Sequence, residues 1–267
     1  MKIGLALSGG GARGIAHLGI LQAFEEAGIK IDVISGASAG SIAAAFYAYG
    51  YSPLEIVDII EKTNLFKIAW PAFSTTGLLN INRSSHIYEK YFPENDFGAM
   101  RIPLSIAVTN LNTGKPEIFD KGPLIQAINA SCCIPMIFDP IKIKGQYYVD
   151  GGIVNNMPTE VLLNQGCEYI IGVNVVPIVP EDKFDGPKKM VERVAMLAFS
   201  ANVEASAKLC DFYLNPRELR QFGTFDFRKV KALFDVGYEY AQYHLEMLSK
   251  KDKLKQLIAD NLTEKKK

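Results

Sequence analysis

Apolar residues along the chain switch between short continuous runs and helical spacings. Ile3 to Leu7 is a five-residue apolar run closed by Ser8-Gly9-Gly10-Gly11, the form of a strand buried on both faces. Ile15, Leu18, Leu21 and Phe24 then recur at helical spacing with Glu25 and Glu26 turned outward, which predicts a helix over Ile15 to Ala27 stopped by Gly28. Ile31 to Ser35 reads as a second strand, and Ala39 to Tyr49, built of small residues, as a second helix able to pack very closely. Strand, helix, strand, helix in the first 50 residues predicts an α/β fold.

Further along, Pro53 to Lys62 reads as a helix with Leu54, Val57 and Ile60 on one side, followed by an irregular aromatic loop around Phe66 to Phe73. A helix over Ser84 to Tyr91, strands at Leu104 to Val108 and Glu117 to Phe119, and a helix over Leu124 to Cys132 come next. Ile141 to Val149 folds back around Lys144-Gly145-Gln146 as a hairpin, then a helix over Pro158 to Gln165 leads into a strand at Tyr169 to Val175. Lys188 to Lys208 reads as one long amphipathic helix, Asp211 to Leu214 as a short strand and Val230 to Leu248 as a last long helix. No repeat or linker divides the chain, so residues 1–250 read as a single catalytic domain and 251–267 as a charged tail, a frayed helix or a disordered end.

Composition narrows the partners. With 29 Lys plus Arg against 29 Asp plus Glu the formal net charge is zero, so there is no field to attract a nucleic acid. The apolar run after Lys2 is too short for a signal peptide or a membrane span, which predicts a soluble cytoplasmic protein. Cys132, Cys133, Cys167 and Cys210 have neither C-x-x-C spacing nor a framework pattern and read as thiols of a reducing compartment. Nothing in the sequence assigns an oligomeric state.

Two glycine motifs carry the candidate chemistry. Gly9-Gly10-Gly11-Ala12-Arg13-Gly14 matches G-x-G-x-x-G between a strand and a helix, the setting of a dinucleotide-binding loop. That reading needs an acid at the carboxyl end of the second strand, whereas Asp32 stands at its beginning. The carboxyl end holds Gly36-Ala37-Ser38-Ala39-Gly40, a G-x-S-x-G turn between strand and helix that would expose the serine oxygen near a helix amino terminus. The bland reading is a tight connection made of small residues. A serine nucleophile needs a base. Of the three histidines, chain order nominates His244, which sits mid-helix; His17 reads as a packing residue and His86 as a solvated one. Asp150, closing the apolar run Tyr147-Tyr148-Val149 and followed by Gly151 and Gly152, is the better base if burial raises its pKa from about 3.9. The alternative there is an ordinary Asp-Gly turn.

In order, the glycine-rich loop Gly9 to Gly14, the elbow Gly36 to Gly40 and the later Asp150-Gly151-Gly152 resemble the patatin-like phospholipases and lipid acyl hydrolases. Ala130-Ser131-Cys132-Cys133-Ile134-Pro135-Met136-Ile137-Phe138 also resembles a segment of that family, with Cys133 at a position where a small alanine is usual. The resemblance spans about residues 3 to 175. It implies a three-layer α/β/α fold with a mostly parallel, mixed central sheet. It implies Ser38 as nucleophile and Asp150 as proton acceptor, with no histidine, and backbone N–H groups of Gly9, Gly10 and Gly11 as the oxyanion hole. Arg13, Gly14, Gly36, Gly40, Gly151 and Gly152 support these motifs, Arg13 either by holding the loop or by attracting an anionic head group. The implied activity is hydrolysis of carboxylic esters in lipids, by a phospholipase or lysophospholipase-type esterase that requires neither metal nor organic cofactor. The partners implied are a lipid or other acyl-ester substrate and a transient, peripheral contact with a membrane surface, through the aromatic loop or an amphipathic stretch at Lys253 to Leu262. Two other readings stay open: a dinucleotide-binding oxidoreductase, and a non-catalytic lipid-binding protein of the same fold.

Overall fold

In the computed structural model, which describes residues 1–63, 81, 85–135, 137–180, 186–224, 226–248 and 252–264, the apolar runs become one mixed sheet of eight strands among those residues. They are β1 (Ile3–Leu7), β2 (Val33–Ala37), β3 (Leu104–Asn110), β4 (Lys115–Phe119), β5 (Ile141–Ile143), β6 (Gln146–Asp150), β7 (Tyr169–Val173) and β8 (Phe212–Leu214). β3, β2, β1, β7 and β8 lie side by side and run parallel. Parallel neighbours need crossovers, and α1 (Ala16–Glu26) makes the one between β1 and β2.

Register sorts the strand side chains onto two faces. Leu5 is paired with Ile34 and Ile171, and Ile34 with Leu104; these share one face and enter the core with Leu18, Leu21 and Phe24 of α1 and with Phe46 of α2 (Ala39–Tyr49). Ala6, Val33 and Ile170 take the opposite face with Met157, Leu162 and Val203. Helices therefore cover both faces, the three-layer α/β/α architecture expected. Thiols pack into the second face: the Cys167 and Cys210 sulfurs crowd the positions that Cβ atoms on Gly4 and Gly172 would take. All four cysteines are free.

The part of the sheet that builds the site is β3. Ala107 pairs with Ala37 of β2 and with Ile118 of β4, while Val108 pairs with Asp150 of β6 and with Glu117 of β4. A strand has two edges, and β4 occupies one of them at both residues, so β2 and β6 share the other. They meet end to end: β2 runs parallel and stops at Ala37, and β6 runs antiparallel and stops at Asp150, one position further along β3. The residue after β2 is thereby brought against the last residue of β6.

Several elements differ from expectation. β2 is shifted two residues along, because Asp32 turns its carboxylate onto the Ile3 N–H at 2.8 Å and the strand begins after it. A 3-10 turn, Gly11–Ile15, precedes α1. The stretch read as one helix over Lys188 to Lys208 is two, Gly186–Ala201 and Val203–Ala207. Asn202 stands at the break and spends its side chain on neighbouring backbone: Nδ2 donates to the Gly152 and Ile153 carbonyls, and Oδ1 accepts the Asn156 N–H. In the tail, of the two alternatives read there, the helix is the one seen. Lys253–Glu264 is a helix with Leu254 fully buried, Leu257 and Ile258 packed against the core, and the Asn261 amide donating to the Gly28 carbonyl at 2.8 Å. The aromatic loop Phe66 to Phe73 lies outside the described residues. Among those described, no helix is long and apolar enough to cross a membrane.

Candidate active site

Ser38 follows β2 and precedes α2 at φ 49° and ψ −126°. For a residue with a Cβ such a conformation costs about 1–3 kcal/mol and persists only where the surroundings enforce it. Here the return of α2 over the sheet does so. A Cβ on Gly36 would lie 2.6 Å from the Gly40 carbonyl carbon, and one on Gly40 would run into the Leu7 carbonyl. The Ser38 N–H donates to Ser131 Oγ at 2.8 Å, and Ser131 Oγ donates to the Ala107 carbonyl at 2.7 Å, fastening the elbow to β3. Ser131 lies in the segment singled out in the sequence, but as a motif position without this bond.

Ser38 Oγ donates to Asp150 Oδ2 at 2.7 Å. The other carboxyl oxygen accepts the Gly152 N–H at 2.8 Å. Asp150 is 2% exposed and Ser38 9%. Burial pushes the Asp150 carboxyl up to about 6, against the pull of the Ser38 and Gly152 hydrogen bonds, which favour the charged form. Asp150 is also held through its backbone, with its N–H on the Cys133 carbonyl at 2.9 Å and its carbonyl accepting from Thr109 Oγ1 at 2.8 Å. The Asp-Gly-Gly stretch is no free turn: Gly151 is pressed on the Ala107 carbonyl, and Gly152 opens the short helix Gly152–Asn155.

The glycine loop is divided in its donors. The Gly9 N–H bonds to the Asn156 carbonyl at 3.2 Å and to Asn156 Oδ1 at 3.0 Å. Gly9 is therefore not a free oxyanion donor, a correction to the expected set of three. The N–H groups of Gly10 and Gly11 donate to no group among the described residues. A segment that the sequence left unassigned clamps the far side of the loop: the Ala12 N–H donates to the Thr224 carbonyl at 2.8 Å, and Arg13 Nε to the Phe222 carbonyl at 2.8 Å. Arg13 is buried, with burial lowering its pKa and Asp226 opposing that shift. Of its two readings, the loop-holding one has the contact. Gly14 packs on the Ala39 side chain at the start of α2.

No histidine bonds to Ser38 or Asp150 among the described residues. His17 is fully buried, donates from Nε2 to the Ser8 carbonyl at 2.8 Å, and is driven down to about 4 by burial, so it is neutral. His86 is exposed, and His244 donates from Nδ1 to the Tyr240 carbonyl at 2.8 Å.

The profile of the family described as patatin-like phospholipase matches residues 5–163, more than half of the chain. The chain belongs to the patatin-like phospholipase family. The patatin-like portion holds Ser38, Asp150 and the glycine loop, whereas Asn202 and the Phe222–Asp226 segment that grip this site lie beyond it. Lysophospholipase NTE1 of Saccharomyces cerevisiae is 30% identical over 94% of this chain, and lysophospholipase nte1 of Aspergillus fumigatus 27% identical over 99%. The chain spans only 17% and 19% of the length of those two relatives. VipD from Legionella pneumophila shares the patatin-like fold, with a TM-score of 0.54 at 17% identity over 92% of this chain and 67% of that one.

Proposed function

We propose that this protein hydrolyses carboxylic esters of lipids through an acyl-enzyme, with Ser38 as nucleophile and Asp150 as its base. The observation that carries the reading is the 2.7 Å hydrogen bond from Ser38 Oγ to a buried carboxylate. Asp150 with a pKa near 6 is ionised at neutral pH yet basic enough to take a proton. Ser38 Oγ attacks the ester carbonyl as its proton passes to Asp150, and the carbonyl oxygen becomes an oxyanion facing the Gly10 and Gly11 N–H groups. Collapse expels the alcohol, which leaves with the proton from Asp150. Water then attacks the acyl-enzyme, giving its proton to Asp150. The carboxylic acid departs as Ser38 Oγ is reprotonated.

Family membership and relatives named lysophospholipases support a lipid ester, with a lysophospholipid as the first substrate to test. Neither alternative gains support: Asp32 is spent on the Ile3 N–H at the wrong end of β2 for a ribose, and a non-catalytic lipid binder would not need a strained serine on a buried carboxylate. A lipid ester lies in an aggregate, so we extend the reading to a peripheral contact with the lipid surface. Its support is an apolar stripe on the helix Gly186–Ala201, where Met190, Val194 and Leu197 are 49%, 57% and 43% exposed at i, i+4, i+7 spacing. The same helix reaches the site through Phe199, which lies beside Gly152. We treat residues 1–250 as the catalytic unit, with the helix Lys253–Glu264 docked on it. A fluorophosphonate probe is expected to label Ser38, as read by peptide mapping. Labelling elsewhere, or none in protein that turns over esters, removes Ser38 from the mechanism.

A further inference from the structure

Asn156 is 1% exposed and caps the short helix Gly152–Asn155, which begins two residues after Asp150. Its carbonyl and its Oδ1 both accept the Gly9 N–H, at 3.2 and 3.0 Å. The side chain is wedged between two glycines: a Cβ on Gly9 would lie 2.7 Å from Oδ1 and 2.9 Å from the Ser38 Cβ, and a Cβ on Gly152 would lie 2.6 Å from the same Oδ1. Only two residues lacking Cβ leave room for an amide there.

The amide is held in one orientation at a cost. Asn156 Nδ2 is buried and has no hydrogen-bond partner among the described residues, so it forfeits the bond it would make to water. Turning the amide over would set Nδ2 against the Gly9 N–H, donor against donor, and lose the Oδ1 bond as well. An alkyl side chain would carry no such cost. What the amide provides is an acceptor that takes the Gly9 N–H out of the site. Its own placement is fixed from outside: the Asn156 N–H donates to Asn202 Oδ1 at 2.7 Å, and Asn202 Nδ2 donates to the Gly152 and Ile153 carbonyls at 3.2 and 3.3 Å. The turn that carries the base and the loop that carries the free donors thereby become one hydrogen-bonded unit.

We propose that Asn156 is a positioning residue of the glycine loop, holding Gly9 so that Gly10 and Gly11 aim their N–H groups at the oxygen of the substrate carbonyl. This rests on the hydrolase reading of the site. Donors to an oxyanion act mainly in the transition state, so a loop allowed to rotate loses rate and not substrate affinity. Small misplacements are expensive, with about 1 Å able to cost ~10²-fold.

The test compares Asn156→Leu and Asn156→Ser with wild type on a soluble p-nitrophenyl ester, beside thermal melting, alone and in a Gly11→Ala background. The expected result is a fall in kcat of roughly 10- to 100-fold with KM within about twofold. Asn156→Leu should melt no lower than wild type, because the unpaired donor is gone. In the Gly11→Ala background, either substitution should cost less than about threefold more, since both act through one loop. A KM-only effect, full additivity with Gly11→Ala, or an unchanged kcat overturns the proposal. So does failure of both variants to fold, which would make Asn156 a residue of the fold. Ser38→Ala is measured in parallel. If it stays active, the hydrolase reading has failed; if it is dead while Asn156→Leu turns over normally, only this inference has.

Discussion

At the scale of single residues, the site sets a reactive arrangement against stability. Ser38 is kept at positive φ, and Asp150 is buried without a cation among the causes of its shifted pKa. Folding raises the Asp150 pKa from 3.8 to about 6. A raised acid pKa favours the native state below about pH 4, and that contribution is lost as pH rises through about 6, because the charged form is the one that burial penalises. Two pH units correspond to as much as about 3 kcal/mol at neutral pH. Asp150→Asn is therefore expected to lower kcat/KM at least ~10²-fold by removing the base, while melting higher than wild type at pH 8 but not at pH 4. Wild-type activity should rise with an acid limb near pH 6, whereas His86→Gln and His244→Gln keep both rate and limb. Near-normal turnover by folded Asp150→Asn, or a limb that disappears with either histidine, would remove Asp150 from the role of base.

At the scale of elements, each motif folds as it does because another element presses on it. The glycine loop is the clearest case. Gly11 has φ +58°, and a Cβ there would run into the Thr224 carbonyl, the same oxygen that accepts the Ala12 N–H. Gly11→Ala must therefore shift the loop away from this segment, and it is expected to lower kcat by ~10²-fold, the scale of losing one oxyanion donor. Fluorophosphonate labelling of Ser38 should slow in parallel, because the adduct needs the same donors. Labelling at the wild-type rate would show that the loop plays no part. The elbow was legible in sequence because its reasons are local: small residues at 36 and 40 and an apolar run before them. The clamp by Phe222 and Thr224 was not, since it joins residues 209 positions apart in the Arg13 bond and no periodicity marks it.

For the whole molecule, the question is how a buried dyad meets a substrate held in an aggregate. The stripe Met190, Val194, Leu197 lies on the helix that touches Gly152 through Phe199, which sets an apolar outer surface on an element packed against the base-bearing turn. Val194→Glu with Leu197→Glu is expected to weaken co-sedimentation with phosphatidylcholine vesicles and hydrolysis of vesicle-borne lipid several-fold, leaving a soluble p-nitrophenyl ester unaffected. Equal loss on both substrates, or unchanged vesicle binding, would argue against this surface.

The sequence by itself determined the alternation of strand and helix, the two-sided burial of β1, and the elbow around Ser38, because periodicity and glycine placement act over a few residues. It also carried the family resemblance, residue by residue. Only the tertiary structure decided that β2 and β6 abut on one edge of β3 and so bring Ser38 and Asp150 to 2.7 Å. It decided that the Gly9 N–H is taken by Asn156, that the long amphipathic stretch breaks at Asn202, and that Lys253–Glu264 docks by Leu254. These depend on pairing between distant segments, where a side chain's partner is set by the packed chain around it and not by its neighbours in sequence.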